Sequence, residues 1–145
     1  LVTFNSQARR ALPLTQDRAA LDRALNQVQL SQFTRLDLGV AAGWAELIGP
    51  RARRTSKPVL VVLTDGRANP VPVEAAVREA NTAKSLGITV FTVGVGTDLD
   101  RDGLRAMASR PEYAFLTADG EGLVRIFASI AETIPCPGSA FWGKR

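Results

Sequence analysis

Apolar residues recur along this chain with two periods, and each period predicts a different kind of element. Residues 57–64 and 88–95 are almost continuously apolar, and short runs without alternation are typical of strands covered on both faces. Weaker patterns predict strands at residues 1–5 and 8–15, joined by a turn into a hairpin. Because Pro13 has no N–H to donate, we expect the hairpin to lie at a sheet edge.

Between and after these strands, apolar residues lie three and four positions apart, which predicts helices. The apolar faces of the predicted helices lie within residues 21–28, 40–48, 73–80, 104–107 and 123–134. A last strand is predicted at residues 113–117. Strands that alternate with helices predict an α/β fold, in which a mostly parallel sheet has helices on both faces and an antiparallel hairpin at its edge. We expect one domain over residues 1–134 and a C-terminal tail or linker at residues 135–145.

Composition narrows the class of protein without changing this fold. Of the 145 residues, 46% are hydrophobic and 22% charged, as expected of one globular domain rather than a disordered chain. No apolar run approaches the roughly 20 residues of a membrane helix, so we expect no direct membrane insertion. The net charge is +4, and the densest basic stretch comprises Arg51, Arg53, Arg54 and Lys57. Because this stretch lacks aromatic residues, it favours a solvated loop over a nucleic-acid site, with a phosphate or acidic-partner contact as the alternative.

The sequence lacks the residue patterns of common enzyme classes. It contains no His, no Ser/His pair, no GxSxG elbow and no GxxxxGKS/T phosphate loop. Its one Cys, Cys136, cannot form an internal disulfide. The run from Asp98 to Gly103 matches the first half of a calcium-binding EF-hand loop, but Ser109 stands where a bidentate Glu should be, so helix capping explains it better. We therefore predict that the chain is not an enzyme.

Two side chains could supply oxygen ligands to a cation, and one of them lies at a strand end, where parallel sheets bind ligands. Asp65 follows the strand at residues 57–64, and Gly66 lets the backbone turn there. A carboxylate at this edge suits Mg²⁺ or Ca²⁺, although it could simply cap a turn. Thr34 precedes a predicted helix, where its hydroxyl could cap that helix or reach a cation. Asp37, three residues later, could also cap the helix or support the site.

Several runs occur together in the order and spacing of one known family. They are residues 1–6 (LVTFNS), the hairpin end Leu14-Thr15, residues 34–39 (TRLDLG), residues 61–66 (VVLTDG) and residues 87–96 (GITVFTVGVG). Over roughly residues 1–134, the sequence resembles a von Willebrand factor type A (vWA) domain. The resemblance implies a Rossmann-like α/β fold and a protein-binding, adhesion-type function. It also implies a metal-ion-dependent adhesion site at the carboxyl edge of the sheet.

The resemblance indicates which residues would form that site. In the family, a Thr from a second loop and an Asp from a third loop bind Mg²⁺ (or Ca²⁺ or Mn²⁺), and a carboxylate of the partner protein completes the coordination. Thr34 and Asp65 match these two positions, and Asp37 and Gly66 would shape the loops. The partner-binding rim around the site would comprise Asn5, Ser6, Arg35 and Arg67.

One part of the family pattern has no counterpart in these 145 residues. The family's Asp-x-Ser-x-Ser motif and its strand would lie before Leu1, and that strand would be central, between the strands at residues 1–5 and 57–64. Because two neighbouring strands would lose backbone partners, at about 1–3 kcal/mol for each unsatisfied group, we expect the 145 residues to be unstable alone. We expect an upstream segment or another chain to supply the strand. Without the motif the metal site is incomplete, so bound metal could be absent.

Two other functions are compatible with the same resemblance. The domain could be a structural assembly subunit without bound metal, or an accessory vWA subunit of an ATP-driven, chelatase-like machine. An upstream Asp-x-Ser-x-Ser motif would support the metal-dependent function, whereas an adjacent ATPase domain would support the machine. An extracytoplasmic or membrane-tethered location is slightly favoured over a cytoplasmic one.

Overall fold

The structure is a computed structural model that describes residues 1–29, 32–53 and 55–134. Its strands are β1 (Val2–Phe4), β2 (Ala8–Arg10), β3 (Val59–Thr64), β4 (Thr89–Val95) and β5 (Ala114–Thr117). Its helices are α1 (Arg18–Asn26), α2 (Leu36–Ile48), α3 (Val73–Ser85), α4 (Arg101–Met107) and α5 (Gly120–Thr133), with one 3₁₀ turn at Pro111–Tyr113. The predicted tail at residues 135–145 lies outside the described residues.

A parallel three-stranded sheet forms the centre of the fold, in the order β3-β4-β5. Alternate residues of β4 point to opposite faces, so Val90 packs into one apolar cluster while Phe91 and Val93 pack into another. Helices α2, α3 and α4 contribute to the first cluster, and α5 contributes Ile130 to the second. The predicted α/β fold, with a parallel sheet covered by helices on both faces, is therefore confirmed.

Strands β1 and β2 form a separate antiparallel pair, as the hairpin prediction required. Helix α2 packs against this hairpin and also against β3. Its glycines make this possible, because a Cβ at Gly39 would lie 2.5 Å from Phe4 Cδ1 and a Cβ at Gly43 would lie 2.6 Å from Leu60 Cδ1. One helical turn of α2 therefore receives a side chain from each of two sheets that share no backbone ladder in the described chain.

Strand β3 is less covered than its apolar sequence suggested. We expected both faces to be buried, but Leu63 is 40% exposed and residues 59–61 are only half-buried. The reason is position in the sheet, since β3 pairs with β4 on one side and with no other described strand on the other. The Pro58 carbonyl accepts from Thr89, and N–H and C=O groups alternate in side along a strand. The backbone groups of residues 59, 61 and 63 therefore point to the open edge.

Two further findings concern the N-terminal third of the chain. The regular pairing of strand β2 ends at Arg10 rather than near residue 15. Beyond it, Leu1 and Leu12 still exchange two backbone hydrogen bonds, and the Leu14 N–H then donates to Glu46 Oε1 on α2. Helix α1 forms where it was predicted and is capped by Asp17, whose side chain accepts from the Ala20 N–H. Only Ala24 of its apolar face is buried.

Candidate functional site

Three loops meet at the carboxyl end of the sheet. The Arg35 N–H donates to the Asn5 carbonyl at 2.9 Å, which joins the loop after β1 to the start of α2. Thr34 and Asn69 exchange two backbone hydrogen bonds of 3.1 Å, which join the same segment to the loop after β3. These bonds hold the loops that carry Asn5, Thr34 and Asp65 beside one another.

The two predicted ligands lie on these neighbouring loops. Thr34 is half-buried, and a Cβ placed on Gly66 would lie 3.9 Å from Thr34 Oγ1, so the hydroxyl faces the residue next to Asp65. Within the described ranges, neither the Thr34 hydroxyl nor the exposed Asp65 carboxylate makes a side-chain hydrogen bond. Arg35 rather than Thr34 is the N-cap residue of α2, and no side chain caps that helix.

The Asp65 turn is organised by a neighbouring residue. Thr64 is buried, and its Oγ1 donates to the Gly66 carbonyl at 3.1 Å and accepts from the Gly66 N–H at 3.3 Å. The hydroxyl therefore performs the turn-capping role that Asp65 could have had. The exposed Asp65 carboxylate is therefore not used to close this turn.

Asp37 binds an arginine of the rim rather than capping the helix through its side chain. Arg35 Nε and Nη2 donate to the two Asp37 oxygens at 2.8 and 2.7 Å, in a half-buried bidentate pair. The Arg35 side-chain hydrogen bonds hold the pKa of the Asp37 carboxyl below its usual value. This pair fixes the Arg35 side chain at the start of α2, beside Thr34.

The remaining rim residues lie on both sides of this centre. Asn5 Oδ1 accepts from the Gln7 N–H and from the Ser6 hydroxyl, which orders the short turn between β1 and β2. Arg67 Nε donates to Asp98 Oδ1 at 2.9 Å and so connects the loop after β3 with the loop after β4. Sequence reasoning did not assign Asp98, Thr64 or Asn69 to the site. The carboxyl-end rule could have found Asp98, because it follows a strand parallel to β3.

The chemistry of these donors suits a hard divalent cation, but their number does not fill its coordination shell. A carboxylate and a hydroxyl are both oxygen ligands of the kind that Mg²⁺ and Ca²⁺ prefer. Mg²⁺ has six ligands, so water, further protein groups or a partner must supply the others. The described residues contain no cluster of three or more Asp, Glu, Cys or His side chains that could hold a metal ion by itself.

Fold and loops together define an α/β domain in which the loops after β1 and β3 and the segment before α2 meet at the carboxyl edge of a parallel sheet. The model of the von Willebrand factor type A domain family matches residues 1–129. The chain therefore belongs to the vWA domain family. Among the described residues, no helix has both the length and the apolar character needed to cross a bilayer.

Comparisons with individual proteins agree with this assignment. Matrilin-1 of Homo sapiens is 30% identical over 141 residues, which cover 92% of this chain and 27% of matrilin-1. The chain thus spans about a quarter of the length of matrilin-1.

Among solved structures, the chain superposes on proximal thread matrix protein 1 of the mussel byssus with a TM-score of 0.76. That structure has a zinc-occupied MIDAS (metal-ion-dependent adhesion site) motif. It is 26% identical, and the match covers 91% of this chain and 33% of that one. The vWF domain of the pilus tip protein Mfa5 from Porphyromonas gingivalis has a TM-score of 0.78 at 16% identity, covering 91% of this chain and 77% of that one. The second likeness concerns the fold alone.

Proposed function

We propose that this domain is a protein-binding adhesion module, not an enzyme, and that its contact surface is the carboxyl edge of the sheet. Thr34 and Asp65 would hold a divalent cation, Mg²⁺ in preference to Ca²⁺ or Mn²⁺, and an acidic residue of the partner would join its coordination. The observation that carries the proposal is that a hydroxyl and a carboxylate, neither of which makes a side-chain hydrogen bond to another described residue, lie on two loops that are bonded to each other. Exposed oxygen atoms of this kind, at the carboxyl edge of a parallel sheet, are suited to binding a divalent cation.

Each surrounding residue has a physical task in this proposal. The backbone exchange between Thr34 and Asn69 sets the distance between the two ligand loops. The Thr64 hydroxyl holds the turn at Gly66, and Asp37 holds Arg35 in place. Asn5, Ser6, Arg35 and Arg67 would form the rim that contacts the partner. The cation, when bound, would supply the positive charge that attracts a carboxylate.

The comparisons support this function without supplying a partner. The zinc-occupied MIDAS motif of the mussel byssus protein supports a cation at the corresponding edge here. A byssal thread matrix protein among the similar structures also supports an extracytoplasmic location, either free or membrane-tethered. We favour contact with another protein over contact with nucleic acid, because the densest basic stretch of the sequence, at residues 51–57, contains no aromatic residue for stacking on bases.

A cation-binding experiment tests the proposal. Binding of Mg²⁺ and Mn²⁺ to the full-length protein is measured by calorimetry, with Asp65→Asn and Thr34→Ala compared with the exposed control variants Asp22→Asn and Thr55→Ala. We expect Asp65→Asn to lower the affinity about tenfold or more and Thr34→Ala less, because the carboxylate carries the charge. Equal binding by Asp65→Asn and Asp22→Asn would contradict the cation site. Binding of a partner protein that persists in EDTA would then favour a metal-free assembly module.

A second proposal concerns the open edges of β1 and β3. We propose that an additional strand, from elsewhere in the polypeptide or from another chain, occupies the position between them. Helix α2 already packs against both sheets, through Phe4 at Gly39 and Leu60 at Gly43, so an inserted strand would also pack against this helix. The N–H groups of Val59, Val61 and Leu63 point there and have no partner in the described chain.

Hydrogen exchange in the full-length protein tests this second proposal. If a strand is inserted, the amides of Val59, Val61 and Leu63 exchange as slowly as those of Leu60 and Val62, which face β4. Fast exchange of the first set alone contradicts it. So does cooperative unfolding of residues 1–145 as an isolated monomer, because that chain would then be stable with the edges open.

A further inference from the structure

The loop after β3 carries an arginine whose charge is only loosely engaged. Arg67 follows Asp65 by two residues, its side chain is 62% exposed, and it is paired with Asp98, which is 80% exposed. Only Nε takes part in this pair, at 2.9 Å, and within the described ranges the two Nη groups donate to no other residue. By contrast, Arg35 holds Asp37 with two hydrogen bonds in a half-buried pair. Exposed single-contact pairs contribute little to stability and exchange partners readily.

The charges of the rim make this pair relevant to partner binding. Arg35 is neutralised by Asp37 and Arg67 by Asp98, so the unpaired charge among these five side chains is the negative one of Asp65. An acidic partner that approaches the free domain therefore meets a net negative charge on these five side chains. Release of Arg67 from Asp98 would present a cation with two free Nη donors, a geometry that suits a carboxylate.

We infer that Arg67 is a specificity-determining residue that binds a carboxylate of the partner, and that Asp98 occupies Arg67 in the free domain as an internal competitor. The inference rests on the proposed function for the position of the contact surface. It deepens that function by naming the partner chemistry, an acidic segment with at least two carboxylates. One carboxylate would reach the cation at Thr34 and Asp65, and the second would displace Asp98 from Arg67.

A peptide-binding experiment on the full-length protein tests this inference. The probe is a fluorescent hexaglutamate peptide, with hexaglutamine as its uncharged counterpart, and affinity is measured by polarisation in Mg²⁺ and again in EDTA. We expect Arg67→Gln to weaken binding of hexaglutamate about threefold to tenfold and Asp98→Asn to strengthen it about twofold to fivefold, the range of exposed charge pairs. Arg101→Gln is the matched control for Arg67→Gln, and Asp102→Asn is the matched control for Asp98→Asn. Both control residues are exposed on α4, and each control substitution changes the net charge by the same amount as the variant that it matches.

The double variant decides whether Asp98 acts through Arg67. If it does, the gain from Asp98→Asn disappears in the Arg67→Gln background; if it acts only as a distant negative charge, the gain persists. A gain that persists in the Arg67→Gln background overturns the inference. Equal effects of Asp98→Asn and Asp102→Asn on the affinity, or no detectable binding of hexaglutamate to Asp98→Asn, also overturn it.

The two proposals about this surface can fail separately. Loss of binding in EDTA and in Asp65→Asn, with no effect of Arg67→Gln, leaves the cation site standing and overturns the role of Arg67. An Arg67→Gln effect that persists in EDTA, with Asp65→Asn binding Mg²⁺ as well as its control variant does, supports the role of Arg67 and removes the cation site.

Discussion

Replacing Glu46 with Gln offers a sharp test of how the N-terminal hairpin is attached to the domain. The Glu46 carboxylate lies near the end of α2 and is only 10% exposed. It accepts from Arg51 Nε and Nη2 at 2.9 and 2.7 Å, from Arg10 Nη1 at 3.0 Å and from the Leu14 N–H at 3.0 Å. One side chain thus connects the hairpin, the segment after it and the loop after α2.

The expected magnitude follows from the titration of this carboxyl. The Arg51 hydrogen bonds, aided by the Leu14 N–H and Arg10 and opposed by burial, lower the pKa of Glu46 from 4.5 to about 2. Such a difference would correspond to about 3 kcal/mol if no charge were screened. Arg10 and Arg51 are 51% and 41% exposed, so water weakens the pairs, and we expect about 1–2 kcal/mol.

The pH dependence has a definite sign. Because the folded-state pKa lies below the unfolded one, the ionised Glu46 stabilises the fold fully above pH 4.5, and this stabilisation is lost as the pH falls toward about 2. Glu46→Gln should therefore lower the free energy of unfolding at pH 7 and differ progressively less from the wild type below pH 4.5. Urea unfolding of the full-length protein between pH 7 and pH 3 measures this difference.

A matched control separates this network from a general charge effect. Glu132→Gln removes the same charge from an exposed position on α5 and should leave stability nearly unchanged. A Glu46→Gln difference that stays constant from pH 7 to pH 3, or that equals the Glu132→Gln difference, would refute the reasoning.

Two further predictions concern packing around the sheet. Gly39→Ala places a Cβ 2.5 Å from the Phe4 ring, so we expect urea unfolding to show a loss of about 1–2 kcal/mol in the free energy of unfolding. Phe4→Leu should partly restore this loss. A Gly39→Ala variant as stable as the wild type would contradict the close approach of α2 to β1. Thr92→Val removes the buried hydrogen bond from Thr92 Oγ1 to the Leu104 carbonyl, 2.9 Å long, and should cost about 0.5–1.5 kcal/mol in the same assay. Thr89→Val at the half-buried start of β4 is its control, and an equal effect of the two variants would contradict the role of this bond.

Much of the fold was predictable because it depends on local sequence. The apolar run of β4 and the i, i+3, i+4 spacing of α3 reflect covalent geometry, which places alternate strand residues, or every third and fourth helix residue, on one side. A carboxylate cap of α4 could be anticipated, with Asp98 and Asp100 as the alternatives. Asp100 is the cap, because it lies one residue before the helix and accepts from the Gly103 N–H without any distant contact. The alternation of strands and helices along the chain then restricted the fold to the α/β class.

The site was predictable only in part, since its residues are far apart in the sequence. The position of Asp65 after an apolar strand could be inferred from the chain alone, as could the match of Thr34 to a family position. That the Thr34 hydroxyl faces Gly66 depends on backbone bonds to Asn69, 35 positions away in a different loop. The Arg67–Asp98 pair likewise depends on β3 lying beside β4.

By itself, then, the sequence determined which segments become strands and helices and which oxygen-bearing side chains follow the strands. Tertiary structure alone decided how covered β3 is, where the hairpin ends and which charges pair around Asp65. The physical reason is that periodicity records the side on which a residue lies, whereas burial and pairing depend on which other element occupies that side.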